Sequence, residues 1–340
     1  MILDDHIGDL NFMPAHEVEN RPSVADLFKR TRRCGIYIME FQNDELYVGK
    51  ATDVVRRYGQ HRKIHQDIRT IRFQKLKRSE LDQNERSLIY RLERAGFGLR
   101  NVTFTSIPQP GSDFEGIMPL DQQNLWLDEM LKEDRRVDRA QDSAIDARSL
   151  RSFGRLQKVC TIDPHLSFLR YYINNLIPSP RNSEISFWSL TALGGGTKER
   201  PGLLYRLNMF WQEVLYVSGD GEDAEICLRC AKSPLEAAPG GLSRIARRIG
   251  AEFDDFHYKP GGSDQISLRA FWNDDPLRIL RDEDVAMSIR LFNLRLMNKG
   301  PSNFSRAHCS ALVTAAYEAP DPETQEALFW SRFRKSPGRR

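Results

Sequence analysis

Gly35-Ile36-Tyr37-Ile38-Met39-Glu40-Phe41 and Leu46-Tyr47-Val48-Gly49 are short apolar runs joined by Gln42-Asn43-Asp44-Glu45. β-Branched and aromatic residues around a polar Asn-Asp turn specify a β-hairpin. Such a hairpin places Tyr37 and Tyr47 on neighbouring strands, both phenols facing one space. The second run continues into Lys50-Ala51-Thr52-Asp53, where Thr52 or Asp53 can cap a helix carrying Arg57 and His61 four apart on one face. Ile71 to Leu76 supplies a third strand. A second helix opens at Ser79 with Asp82 three residues on, the spacing of a capping box.

On that second helix Leu81, Leu88, Ile89 and Leu92 form the apolar stripe, and Glu85 stands inside it, four residues after Leu81. A carboxylate there is costly unless a cation, a metal or a hydrogen-bond network meets it. Alone, it reads as an edge-of-stripe Glu paired with an Arg. Beside two hairpin tyrosines, Arg57 and His61, it reads as part of a site.

In order, Gly35-Ile36-Tyr37, Tyr47-Val48-Gly49, Arg57, His61, Glu85 and Asn101 resemble the GIY-YIG nuclease superfamily over about residues 33–103. Two departures stand out: Ile38 to Leu46 is one residue shorter than the family spacing, and Val48 replaces the Ile. Neither removes a functional group. The resemblance implies a small three-stranded mixed sheet with flanking helices, and hydrolysis of DNA phosphodiesters with one Mg²⁺ or Mn²⁺ per active site. In that reading Glu85 is the metal ligand, Tyr37 the first choice of general base, hydrogen-bonded to Tyr47, with the reverse assignment of the two tyrosines as the alternative, and Arg57 and Lys50 stabilise phosphate charge. His61 relays a proton or orients the base, and Asn101 braces the site.

The whole chain of 340 residues, with 29% charged and 40% hydrophobic residues, has room for two soluble domains. Its start, Met1-Ile2-Leu3-Asp4-Asp5, lacks the features of a signal peptide, and no apolar run reaches membrane-span length, so the expectation is a cytoplasmic protein without a membrane partner. The scattered cysteines 34, 160, 227, 230 and 309 fit a reducing compartment. Cys227-Leu228-Arg229-Cys230 lies in a strand-like run without a second such pair, and buried thiols are the better reading than zinc with His308 and Cys309.

Charge is uneven. Phe28 to Arg100 holds 18 Lys plus Arg against 9 Asp plus Glu, although the whole chain nets only +3. A phosphate backbone is drawn to such a field. Arg56, Arg62, Lys63, Arg72, Lys75, Lys77 and Arg78 are the cations expected to meet DNA.

Outside the motif, residues 1–32 read as an arm with a short helix, Val24 to Arg30, capped by Ser23. Residues 104–162 read as a linker and long polar helix, about Leu120 to Leu156, with alternating charge at Asp134 to Arg139. Residues 163–340 read as a separate α+β domain. Helices are expected at Leu166 to Ile173, Leu242 to Ile249, Asp284 to Met297 and Ala307 to Tyr317. Strands are expected at Ile185 to Leu190, Leu203 to Met209, Val214 to Ser218, Glu225 to Cys230 and Gln265 to Phe271. Gly194-Gly195-Gly196-Thr197-Lys198 lacks phosphate-loop spacing and reads as a turn; the aromatics Phe187, Trp188, Phe210 and Trp211 read as core, and Phe329 to Arg340 as an arm or tail.

The leading expectation is a DNA endonuclease of bacterial restriction or antiviral defence type, with residues 163–340 targeting DNA or a protein partner and a homodimer on DNA as the route to double-strand cutting. The alternatives are a DNA-binding or scaffold protein whose nuclease-derived module does not cut, and a structure-specific repair nuclease.

Overall fold

The computed structural model describes residues 2–108, 111–129, 146–194, 202–219, 224–272 and 275–320. It is α+β, in two units: Met1–Gln109 with Lys259–Ser263, and Pro110–Tyr258 with Asp264–Arg340.

In the first unit the order is α1 (Leu3–Ile7), β1 (His16–Glu17), β2 (Gly35–Phe41), β3 (Leu46–Ala51), α2 (Val54–Ile64), β4 (Ile68–Lys75) and α3 (Leu81–Arg94). The sheet has four strands rather than three, in the order β1-β4-β2-β3. The three strand pairings are antiparallel, and an isolated parallel bridge joins Leu46 at the β3 edge to Leu99. The hairpin turn closes with Asp44 in the left-handed region at φ 61, a conformation Asp tolerates because its short side chain bonds locally.

The central strand β2 is covered on both faces, and its alternation divides the core in two. Ile36 and Ile38 pack with Val48 and the stripe Leu81, Leu88, Ile89 and Leu92 of α3. Tyr37, Met39 and Phe41 pack on the other face with Val54 and Tyr58 of α2. Period-two alternation sends successive side chains to opposite faces, so one strand anchors two helices.

The segment before β2 departs from the expected arm. Leu3 and Ile7 are buried against the α3 face, and β1 pairs with β4 through His16 and Glu17. Apolar residues too few to show a period still bury where a sheet face is open. The expected helix after Ser23 is a turn: Ser23 Oγ accepts from Ala25 N at 3.3 Å, while Val24 and Phe28 bury in the α2-side core. The capping box also differs. Glu80, not Asp82, caps the approach to α3 by accepting from Lys77 N, which frees Asp82 for another partner.

The second unit begins with α4 (Leu120–Glu129), α5 (Ala147–Val159), α6 (Ile162–Leu176) and α7 (Pro180–Ser183). β5 (Trp188–Ala192), β6 (Leu203–Met209), β7 (Gln212–Ser218) and β8 (Glu225–Cys230) follow. Next come α8 (Lys232–Ala237), α9 (Gly241–Ile249), β9 (Glu252–Asp254), β10 (Ile266–Phe271), α10 (Pro276–Arg281), α11 (Glu283–Asn298) and α12 (Ser310–Glu318). Its antiparallel sheet runs β5-β6-β7-β8-β10-β9. The main core joins Trp126 of α4, Leu156 of α5 and Phe168 of α6 to the sheet and to Ile289 and Phe292 of α11. The stretch read as a linker thus contributes helices to this core, while Asp134 to Arg139 lies outside the described residues, as do Gly195 to Lys198 and Phe329 to Arg340.

Cys227 and Cys230, three apart on β8, fall on opposite faces: Cys230 joins the main core and Cys227 a small cluster with Leu203 and Tyr216. Phe187, Trp188 and Phe210 are core residues, whereas Trp211 is exposed. No helix among the described residues is long and apolar enough to cross a membrane.

Candidate active site

The site forms across β3, an edge strand of the first sheet. Alternation sends Lys50 to the α3 side and Tyr47 to the α2 side, with Gly49 between them. Directly opposite Gly49 on β2 sits Tyr37. The Tyr37 ring lies over Gly49, so that a Cβ added at Gly49 would overlap the phenol's hydroxyl and ring carbons. Glycine is needed here for close approach. Gly35 has a similar constraint, since a Cβ there would meet the Gln74 carbonyl of β4.

These residues surround a cleft of about 450 Å³ lined by Tyr37, Tyr47, Lys50, Arg57, Asp82 and Glu85, with Arg56, Gln60 and Arg78 along it. α2 enters the site through a local cap: Asp53 accepts from Val55 N and Arg56 N, fixing the first turn that presents Arg57. Arg57 Nε donates to the Tyr37 hydroxyl at 3.4 Å, and its Nη1 donates to Gln60 Oε1 at 3.0 Å.

Tyr37 is fully buried, and its hydroxyl lies 2.9 Å from His61 Nε2. Tyr47 stacks on it at 6.2 Å between ring centroids, and Tyr37's side-chain partners are His61 and Arg57 rather than Tyr47. Burial pushes the Tyr37 phenol well up, and nearby Tyr47 adds to this against the opposing pull of Arg57. Burial, reinforced by Arg57 and His65, pushes the His61 imidazole down to about 4. His61 is therefore neutral at pH 7 and able to accept the Tyr37 proton at Nε2.

On the other flank Lys50 Nζ meets Glu85 at 2.8 Å and also pairs with Asp82. Burial opposes the Lys50 charge, but the two carboxylates outweigh it and raise its pKa. The Glu85 carboxylate is only 13% exposed, against 72% for Asp82. The cost of Glu85 in an apolar stripe is thus met by a lysine cation.

Asn101 stands behind the cleft and outside its lining. Its Oδ1 accepts from Val48 N at 2.9 Å and its Nδ2 donates to Val48 O at 2.7 Å, so the side-chain amide imitates a neighbouring strand and completes the outer edge of β3. Thr105 Oγ1 in turn donates to the Asn101 carbonyl at 2.8 Å.

Of the basic residues expected at DNA, Arg56 and Arg78 line the cleft, and Lys63, Lys75 and Lys77 are exposed. Arg62 and Arg72 have partners within the fold. Arg62 is buried with Nη1 donating to Ile68 O, and Arg72 is held by Glu40 at 2.7 Å and Asp4 at 3.1 Å. Gln60 and Asp82 are among the cleft residues to which the sequence reading assigned no role in the site. Asp82 carried a usable signal, since it lies one turn before Glu85 on the same helical face.

The comparison with family models matches residues 33–94 to the GIY-YIG catalytic domain. Residues 33–94 are a GIY-YIG catalytic domain. A domain of this kind hydrolyses phosphodiester bonds, which indicates a nuclease, with DNA the implied substrate. GIY-YIG nucleases are generally endonucleases and generally depend on a divalent metal. No curated protein and no solved structure matches the chain.

Among the described residues no group of three or more His, Cys, Asp or Glu is arranged to hold an ion. One recessed carboxylate, Glu85, with Asp82 nearby, fits Mg²⁺ or Mn²⁺, hard ions that Mg²⁺-type sites hold through one or two carboxylates plus waters and substrate phosphates. Lys50 occupies the same carboxylates and would compete for them.

Proposed function

We propose that the protein is a metal-dependent DNA endonuclease of restriction or antiviral defence type, in which the GIY-YIG domain cuts and residues 163–340 supply targeting. The observation that carries the reading is the convergence of Tyr37, Tyr47, Lys50, Arg57 and Glu85 on one cleft from four separate elements.

Glu85, with Asp82 beside it, would hold the ion. A metal bound there would supply polarisation of the scissile phosphate and offset charge on the leaving oxygen. Arg57 offers a planar fork to two phosphate oxygens as charge builds there, and Lys50 adds a point charge. Tyr37, buried and held as a phenol, acts with His61 as a pair: the Tyr37 oxygen takes a proton from the attacking water while its own proton passes to His61 Nε2. Tyr47 stacks on Tyr37 and orients Arg57. Asn101 positions the edge strand that carries Tyr47, Gly49 and Lys50.

Phosphate contacts position a protein without reading bases, so this small domain alone has little sequence preference, and targeting falls to the second unit. A single-metal site cuts one strand at a time. Double-strand cutting therefore calls for a second copy on the DNA or for rebinding.

The second reading is a DNA-binding module that does not cut, favoured by the Lys50–Glu85 ion pair, which satisfies the carboxylate without metal. Incubating supercoiled plasmid with the protein in Mg²⁺, Mn²⁺ or chelator separates the two. Metal-dependent nicking is the expected result; metal-independent binding with no nick supports the second reading.

A further inference from the structure

In the second unit, a groove of about 800 Å³ runs between α5, the ends of β5 and β6, and the start of α12. Arg148, Arg151, Arg155 and Lys158 line it from α5, and Arg206 from β6. Spacings of three, four and three residues keep the α5 cations on one helical face, while Ser149 and Leu156 of the same helix are buried. The four are exposed, and no acidic side chain is among the lining residues. Among the described residues, none of Arg148, Arg151, Arg155 and Lys158 has an ion-pair partner; Arg148 donates only to the Arg306 carbonyl at 3.2 Å.

Two further observations point to an absent anion. Arg206 Nε and Thr191 Oγ1 both line the groove as buried polar atoms without a hydrogen-bond partner among the described residues. Arg206 meets Glu213 only at 3.9 Å, beyond hydrogen-bond reach. Ala307, His308 and Cys309 then bring the N-terminal, partly positive end of α12 to the groove wall.

We infer that this groove binds the phosphate backbone of nucleic acid. A row from Arg148 to Lys158 extends roughly 15 Å along the helix, enough for more than one phosphate of a strand. A single small anion needs no such row. The inference rests on DNA being the substrate and extends the targeting role proposed for residues 163–340 to α5, which precedes them; side chains of this kind supply affinity and register but no base readout.

The test is DNA binding by the full chain in chelator, where no cutting occurs, followed by anisotropy of a labelled duplex across a salt series. Arg151→Gln with Arg155→Gln weakens binding and flattens the slope of log affinity against log salt by roughly 1.8, about 0.9 for each lost contact. Arg244→Gln with Arg247→Gln, exposed cations on α9, leaves the slope unchanged. An unaltered slope in the groove variant overturns the inference, as does an equal loss in the α9 variant. Displacement of the duplex by inorganic phosphate too dilute to act through ionic strength also overturns it, assigning the groove to a small anion. Because binding is read without metal, the groove result stands apart from nicking: a wild-type protein that binds as expected yet never nicks keeps the groove and loses the endonuclease.

Discussion

The cleft on the β3 edge and the groove beside α5 are both rich in cations, yet only the cleft sets acids among them. Lys50 there is held between Asp82 and Glu85, and Arg57 leans on a phenol, whereas no carboxylate lines the groove. Positive charge alone attracts phosphate and holds it. Changing a phosphate requires a group that can hold a metal and groups that can move a proton, and those bring desolvation costs the fold must meet locally. The cleft shows how they are met: Lys50 for Glu85, and for Tyr37 a neutral His61 and Arg57. The groove has no such constraint and leaves its cations open to solvent.

This contrast can be broken at several points. Arg57→Ala should cut nicking by about a hundredfold to a thousandfold with duplex binding largely kept, because the guanidinium acts where charge develops; equal losses in both would make Arg57 a binding cation like those of the groove. Next in size is Asn101→Ala, which strips both Val48 backbone partners from a buried edge. Leaving such groups unpaired costs about 1–3 kcal/mol each, so a lowered denaturation midpoint with unchanged m-value is expected.

The smallest effect is in pH. His61 is held near 4 in the fold against its ordinary 6.5, so the unfolded chain takes up a proton first as pH falls. Its contribution to stability is complete above pH 6.5, drains between 6.5 and about 4, and changes no further below. Buried His165, pushed down to about 4 by burial, behaves alike. Stability of His61→Gln measured against wild type across that window should converge as the pH drops; a constant difference would place His61 in solvent rather than at the Tyr37 hydroxyl.

Much of the first unit was legible because its signals are local. The hairpin, the Asp53 cap and the α3 stripe each depend on residues within a few positions, and Tyr37, Tyr47, Lys50, Arg57 and Glu85 converge as their spacing implied. The strands of the second unit were legible for the same reason, with β6 and β8 at their expected limits. What escaped depends on distant partners. β1 is two residues long and becomes a strand only because β4 offers an edge. Asp82 looked like a cap until Glu80 took that role and Lys50 arrived from β3. The partners of Arg62 and Arg72, Ile68 O and Glu40, likewise come into reach only through the fold. The α5 cations are visible as a face in sequence, but Arg206 and the start of α12 reach that face only through the fold.

The most direct test of the account is nicking of supercoiled plasmid by the full chain and by Glu85→Ala, each in Mg²⁺, Mn²⁺ and chelator. Nicking by the wild type only with metal, and its loss in a variant that still binds DNA, is the predicted result. Equal nicking by both proteins, or nicking in chelator, would contradict the assignment of Glu85 as the metal ligand and with it the distinction between a cleft that cuts and a groove that holds.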